Sequence, residues 1–217
     1  MKKNLRNKLI LTTVICLLPI LVGIVLWDRL PDVMATHFDM EGNPNGWSSK
    51  AVTVFGIPAF ITAVHLICSL VTEKDPKRQK YPEKMMKLMY WICPIVSWLC
   101  VCGTYGYELG LDQKKMLGFV YLFVGVVFII LGNYMPKVKQ NYFLGIKLPW
   151  TYASEENWNK THRMAGKLWV AGGILFLVNF FFRIQWMEVI IMFAMILIPV
   201  VYSYLYSRKE QKKGSES

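Results

Sequence analysis

Apolar residues in this chain are gathered into six runs, near residues 9–27, 51–72, 88–107, 115–133, 166–183 and 188–206. Each is close to the length at which an α-helix crosses about 30 Å of hydrocarbon. Lipid offers no partner to a backbone N–H or C=O, so a run of this kind must close its hydrogen bonds within itself, as a helix does. The expected fold is therefore all-α: a polytopic membrane helical bundle of six transmembrane helices. Composition agrees, with 54% hydrophobic and 18% charged residues, where a soluble domain carries about a quarter charged.

The formal net charge of +11 raises nucleic acid as a partner, but the basic residues flank the apolar runs instead of forming one patch. Twenty of the 25 Lys and Arg lie in the N-terminus, the 73–87 loop, the 134–167 segment and the tail after 207. Only Arg29, Lys50, Lys114, Lys115 and Arg183 lie in the alternate segments. Positive charge is retained on the cytoplasmic side, so the expectation is a multi-pass cell-membrane protein with both termini cytoplasmic. The lipid bilayer is then its first partner, and no direct nucleic-acid contact is implied. The first run could be a secretory signal, with Lys2, Lys3, Arg6 and Lys8 ahead of it. It is too long for one and no small-residue cleavage site follows it, so it reads as a retained span.

Cys16, Cys68, Cys93, Cys100 and Cys102 all fall inside runs and form no C-x-x-C pair; they read as small packing residues. Pro19, Pro58, Pro94 and Pro199 interrupt four runs. Each frees a carbonyl that a neighbour must satisfy, either as a packing kink or, as in transporters, beside a binding site. His65 is the one histidine within a run.

Two polar segments carry chemical variety. In the first, residues 30–50, Gly42-Asn43-Pro44-Asn45-Gly46 is turn chemistry, with Pro44 fixing φ and Gly46 free to take φ > 0. If residues 36–41 are extended, His37, Asp39 and Glu41 share one face and Phe38 and Met40 the other. That face could hold a divalent cation, although one strand rarely completes a coordination shell. The other reading is an extracellular hairpin with Phe38 and Trp47 against the membrane face. We assign no metal, no cofactor and no catalytic residue. The outer binding motif is taken as His37, Phe38, Asp39, Gly42, Pro44, Gly46, Trp47 and Lys50.

In the second segment Ser154 is placed to cap a helix whose first turn holds Glu155 and Glu156. Trp158, Thr161, His162, Ala165 and Trp169 then recur at helical spacing, which predicts a cytoplasmic interfacial helix running into the fifth span. Thr161-His162 supplies no nucleophile, base and orienter set, and His162 reads as an anchor or hydrogen-bonding residue. The two polar segments also match faintly at an offset of 105: Leu30-Pro31-x-Val33-x-x-x-His37-Phe38 against Met135-Pro136-x-Val138-x-x-x-Tyr142-Phe143. Trp47-Ser48 meets Trp150-Thr151 after a two-residue gap. This suggests a 3+3 inverted repeat, with a three-span half at 1–110 carrying the outer loop and a second at 111–217 carrying the inner one.

Residues Asn141, Gly145-Ile146-Lys147, Pro149-Trp150-Thr151, Trp158, Thr161-His162 and Gly166 resemble the signature of the SdpI-type bacterial membrane proteins. The first segment, through His37-Phe38, Gly42, Pro44, Gly46-Trp47 and Ser49-Lys50, resembles the uncharacterised domain that often precedes that signature. Departures are Lys147-Leu148 where Arg-Thr is commoner, Asn45 for Asp and Ala35 for Pro. The resemblance implies a non-enzymatic immunity and signalling protein. It would protect its cell from a secreted toxic peptide met outside, and hold a small transcriptional repressor at the membrane inside. The inner binding motif is Asn141, Gly145, Lys147, Pro149, Trp150, Thr151, Trp158, Thr161, His162 and Gly166, offered as an aromatic, basic docking surface. The competing reading, favoured by the suggested inverted repeat and the broken helices, is a small membrane transporter or exporter.

Overall fold

The computed structural model describes residues 3–39, 41–76, 83–141, 144–182, 184 and 186–215. The helices are α1 (Lys3–Val25), α2 (Ile57–Glu73), α3 (Glu83–Glu108), α4 (Gln113–Tyr134), the short α5 (Pro149–Ala153), α6 (Glu155–Phe182) and α7 (Met187–Ser215). One antiparallel pair, β1 (Val33–Phe38) and β2 (Pro44–Ser49), is inserted between α1 and α2. Among the described residues six helical stretches are long and apolar enough to cross a membrane: Arg6–Val25, Val52–Glu73, Met86–Glu108, Gly118–Lys137, Glu155–Phe182 and Met187–Lys212. Their outward side chains, Phe60, Phe119, Phe181 and Ile190 among them, are exposed, which an aqueous fold could not sustain over so much surface. The chain is an all-α membrane bundle.

The fifth stretch agrees with expectation in its continuity and departs from it in its surroundings. The helix ahead of residue 166 runs into the span after it as one uninterrupted helix, α6. The striped residues Trp158, Thr161, His162 and Ala165 are buried: Trp158 and His162 face the chain's own 138–146 segment, so the stripe is no lipid anchor. Ser154 caps the helix as its position suggests, accepting the Asn157 N–H at 3.1 Å.

The chain divides into two compact units, Met1–Lys74 with Glu83–Val120 and Asp75–Pro82 with Tyr121–Ser217. In the first, α1, α2 and α3 pack on one another around Leu30, Met34, Val54, Val101 and Tyr105. Here His65 pairs with Thr12 Oγ1 at 3.0 Å, giving a buried imidazole a partner. In the second, α6 and α7 pack together around Phe176, Ile191 and Met195. Phe128 meets Trp169 and Phe176 edge-on, at 5.5 and 5.4 Å. The cysteines are all free. Cys68 and Cys100 are exposed, so these two are not the buried packing residues expected.

The prolines explain two long-range bonds. Pro19 has no N–H for the carbonyl of Ile15, four residues back; the indole of Trp98 on α3 donates to it at 3.0 Å. Ser97 adds a bond to Cys16 O at 2.8 Å. In the second unit Pro199 frees Met195, and Trp169 on α6 donates to that carbonyl at 3.2 Å. Pro58 follows a wide turn at Val52–Gly56 inside one continuous helical stretch, a local adjustment of the kind that accommodates a missing donor in a membrane helix.

Glycine sets the closest helix approach. A Cβ on Gly132 would lie 2.7 Å from Gly166 O, and one on Gly166 2.6 Å from Gly132 O. Gly125 and Gly173 repeat the contact at 2.9 and 2.6 Å. The two pairs are seven residues apart on each helix and run oppositely, so α4 and α6 are antiparallel and touch backbone to backbone, as small residues permit in membranes.

Replacing Trp98 with Phe should destabilise the protein in detergent by roughly 1 kcal/mol, the scale of a membrane hydrogen bond. In a Pro19→Ala background, where residue 19 regains an N–H for Ile15, the same change should cost much less. Thermal unfolding of the four proteins measures the coupling, and equal costs in both backgrounds would refute the pairing.

Candidate functional site

The first motif folds as the hairpin, but not on the expected turn. Pro44 and Gly46 lie inside β2, and the turn is Asp39–Asn43, with Gly42 at φ +89°. The reason is Asp39. Its Oδ1 accepts the N–H groups of Glu41 and Asn43 at 3.0 and 2.7 Å, and its Oδ2 the Asn43 side-chain amide at 3.3 Å. This is a side-chain closure of the kind that defines Asx turns. Gly46 is required for close approach instead: a Cβ there would lie 2.9 Å from His37 Cβ, across the strand pair.

The register is irregular on both sides of His37, and β1 ends at Phe38. The one-face arrangement of His37, Asp39 and Glu41 is thereby lost, since the last two lie in the turn; Met40 lies outside the described residues. His37 Nδ1 meets Asn45 Oδ1 at 2.5 Å, and Asp39 is committed to its loop. Among the described residues no three His, Cys, Asp or Glu side chains are placed to hold a metal.

Residues of α3 position the hairpin. Glu108 accepts the Ala35 N–H at 2.7 Å, covering an otherwise open strand edge, and Tyr107 meets Phe38 edge-on at 5.0 Å. At the base Lys50 bonds Trp27 O and Asp32, each at 3.2 Å, and lies 5.1 Å from the Trp27 ring centroid. Lys50 is therefore a latch. Trp47 is the exception, with 58% of its surface exposed.

Beneath the hairpin is a cavity of about 410 Å³, roofed by Thr36, His37, Phe38, Asp39 and Gly42 and walled chiefly by α3. Its size lies in the range of roughly 300–1,000 Å³ typical of ligand pockets. Sequence reading missed its wall because Leu99, Cys100, Gly103, Thr104 and Tyr107 look like ordinary span residues. Only their recurrence on one helical face could have signalled it.

The second motif closes on itself. Asn141 donates to Lys139 O and Leu144 O at 2.8 and 3.0 Å and accepts the Leu144 N–H at 2.6 Å. Gly145, at φ +107°, then lays the backbone against the His162 ring; a Cβ there would overlap Nε2 and sit 3.1 Å from Trp158 Cζ2. Ile146 is held at both ends, its N–H by His162 Nε2 at 2.9 Å and its C=O by the Thr151 hydroxyl at 3.0 Å. His162 Nδ1 lies 2.8 Å from Trp158 O. A carbonyl only accepts, so Nδ1 carries the proton and Nε2 the lone pair.

Trp158 stacks on His162 at 4.2 Å and donates to Val138 O at 2.7 Å. Trp150 donates to Ser203 Oγ at 2.8 Å. Thr161 bonds Asn157 Oδ1, and Asn157 Nδ2 bonds Ser203 O. Gln140, Tyr152, Asn157 and Ser203 belong to this network and were not singled out from sequence. Ser203, a hydroxyl within an apolar run, was the available signal. Asn141, Thr151, Trp158, Thr161 and His162 are fully buried, so they cannot form the aromatic docking surface expected. Lys147 and Pro149 remain exposed, and Gly166 serves the contact with α4. Tyr142 and Phe143, two of the five positions of the offset-105 match, lie outside the described residues, and the matched Trp47 and Trp150 stand in a strand and a helical turn respectively.

Fold and sites define a polytopic helical membrane protein with one motif per unit, a hairpin over a cavity and a self-bonded loop. Residues 137–207 match the SdpI/YfhL protein family, and residues 14–62 match a domain of unknown function, DUF1648. The chain is 31% identical over 219 residues to the Immunity protein SdpI of Bacillus subtilis (strain 168), covering 98% of each. It belongs to the SdpI family. No solved structure matches it.

Two outcomes follow from this geometry. Gly145→Ala should cost about 1–3 kcal/mol, the range for a strained backbone, and should cost less in a His162→Ala background, where the clashing ring is gone; thermal unfolding of the four proteins reads the difference. Desolvation pushes the Asp39 carboxyl up, but the bonds from Asn43, Glu41 and Gly42 outweigh it and hold the group below its ordinary 3.8. The turn's contribution is therefore complete above about pH 4 and is lost as pH falls through the depressed value. Hydrogen exchange at the Asn43 amide should stay slow down to that range and accelerate below it.

Proposed function

We propose that this chain is an immunity protein that protects its cell from a secreted toxic peptide by binding it, without catalysis. The observation that carries this reading is the end-to-end likeness to the Immunity protein SdpI. In the proposed orientation both termini and the second motif lie in the cytoplasm, and the hairpin faces outward. The hairpin then presents Trp47 to the outside and the cavity to the membrane, a fitting arrangement for a peptide arriving from the medium.

On the cytoplasmic side, a small transcriptional repressor would be held by residues that the second motif positions, Lys147 and Pro149, and not by its buried tryptophans. The broken helices had favoured a transporter. The carbonyls freed by Pro19 and Pro199 are taken by Trp98 and Trp169, which weakens that motive at two of the four prolines.

Expression in a peptide-sensitive host tests the proposal. Cells carrying the chain should survive a neighbouring locus's secreted peptide that kills cells with empty vector. Trp47→Ala should lose most of that survival at unchanged membrane abundance, because the side chain is exposed. Survival equal to empty vector for every candidate peptide would overturn the reading.

A further inference from the structure

The cavity under the hairpin is apolar along α3 and polar at its roof. Cys100, which lines it and is exposed, lies about 12 Å below the end of α3, at 1.5 Å per residue. A ligand that fills it is therefore amphipathic, with an apolar body at the depth of Leu99, Cys100 and Gly103 and a polar end beside Thr36, His37 and Asp39.

The charge at the roof decides between ligand classes. A phospholipid would bring its phosphate there, and phosphates are held by Arg, Lys or clustered N–H donors. Among the described residues lining the cavity there is no Lys or Arg. Lys50, the nearest cation in the hairpin's sequence, is latched to Asp32 and Trp27 at the base. The charged group at the roof is the Asp39 carboxylate, whose N–H partners orient it without neutralising its charge. His37 Nδ1 is engaged by Asn45, leaving Nε2 available. An anionic end is repelled here and a cationic one attracted.

We infer that this cavity is the binding site for the apolar segment of a cationic peptide, taken from the membrane with its positive end under the hairpin at Asp39 and His37. The inference rests on the immunity reading for the occupant's being a peptide, and adds the site and the peptide's chemical class.

The natural thiol lining the cavity reports occupancy. Protein carrying Cys16→Ala, Cys68→Ala, Cys93→Ala and Cys102→Ala keeps only Cys100 and is placed in phosphatidylcholine nanodiscs. Labelling by a membrane-permeant maleimide is timed with three probes: a synthetic Leu/Phe peptide ending in two lysines, the same peptide ending in two glutamates, and phosphatidylglycerol mixed into the disc. The lysine peptide should slow labelling roughly tenfold at about ten times its half-saturating concentration, as mass action requires. The other two probes should leave the rate nearly unchanged.

Equal slowing by both peptides would overturn the charge argument, slowing by phosphatidylglycerol would assign the cavity to lipid, and no slowing by any probe would overturn the site. Gly103→Leu, which fills the cavity, should abolish protection while raising no reactivity at the buried Cys16 in a matched Cys16-only protein, the check that the fold is retained. Host survival separates the two claims. A chain that confers survival while Cys100 is never protected keeps the immunity reading and loses this cavity.

Discussion

A helix in hydrocarbon cannot leave a peptide group to water, and that constraint explains most of the long-range polar contacts in this chain. Two prolines remove donors from α1 and α7, and in each unit a tryptophan on a neighbouring helix replaces the missing donor. The indole suits this task, being a large apolar plate with a single N–H and no acceptor to satisfy in return. What reads in sequence as a helix break is thus a crosslink. It ties α1 to α3 and α7 to α6 at a fixed height, which packing of apolar faces alone would not specify.

The same accounting governs the non-helical segments. The 138–151 loop carries many backbone groups, and Asn141, Thr151, His162, Gln140 and Tyr152 take them up one by one. Side chains that looked like a binding or signalling surface are there because a loop packed on a membrane helix has no solvent to rely on. The hairpin solves the problem differently, through its partner strand, Glu108 at its edge and Asp39 in its turn. Having satisfied itself, it leaves the Trp47 side chain exposed and a cavity beneath its roof. The two motifs thus part in character: one is mostly structure, while the other has surface to spare.

The helical spans were legible because length and apolarity are additive along the sequence, and the cap at Ser154 because capping is local. The turn was misplaced because Pro44 and Gly46 are strong turn residues, whereas the deciding group, Asp39, acts through three bonds visible only when the loop is closed. Glycine misled in the same way. Gly46 is needed for contact across the pair with His37, and it is Gly42 and Gly145 that need positive φ. The cavity was illegible because its wall is a face of α3 that differs little from a lipid-facing one. The burial of Trp158 and His162 was half legible: their spacing announced a face but not whether lipid, water or protein would cover it.

The contact of α4 with α6 has a mechanical consequence. Backbones that meet at Gly132 and Gly166, and again at Gly125 and Gly173, have no side-chain cushion between them, and a slide of about one turn would drive Tyr121 or Ile129 into the place of Gly125. Their register is keyed like a tongue in a slot. A piston stroke of one helix along the other is thereby blocked, and the relative motion left to the pair is a pivot about the glycine contacts.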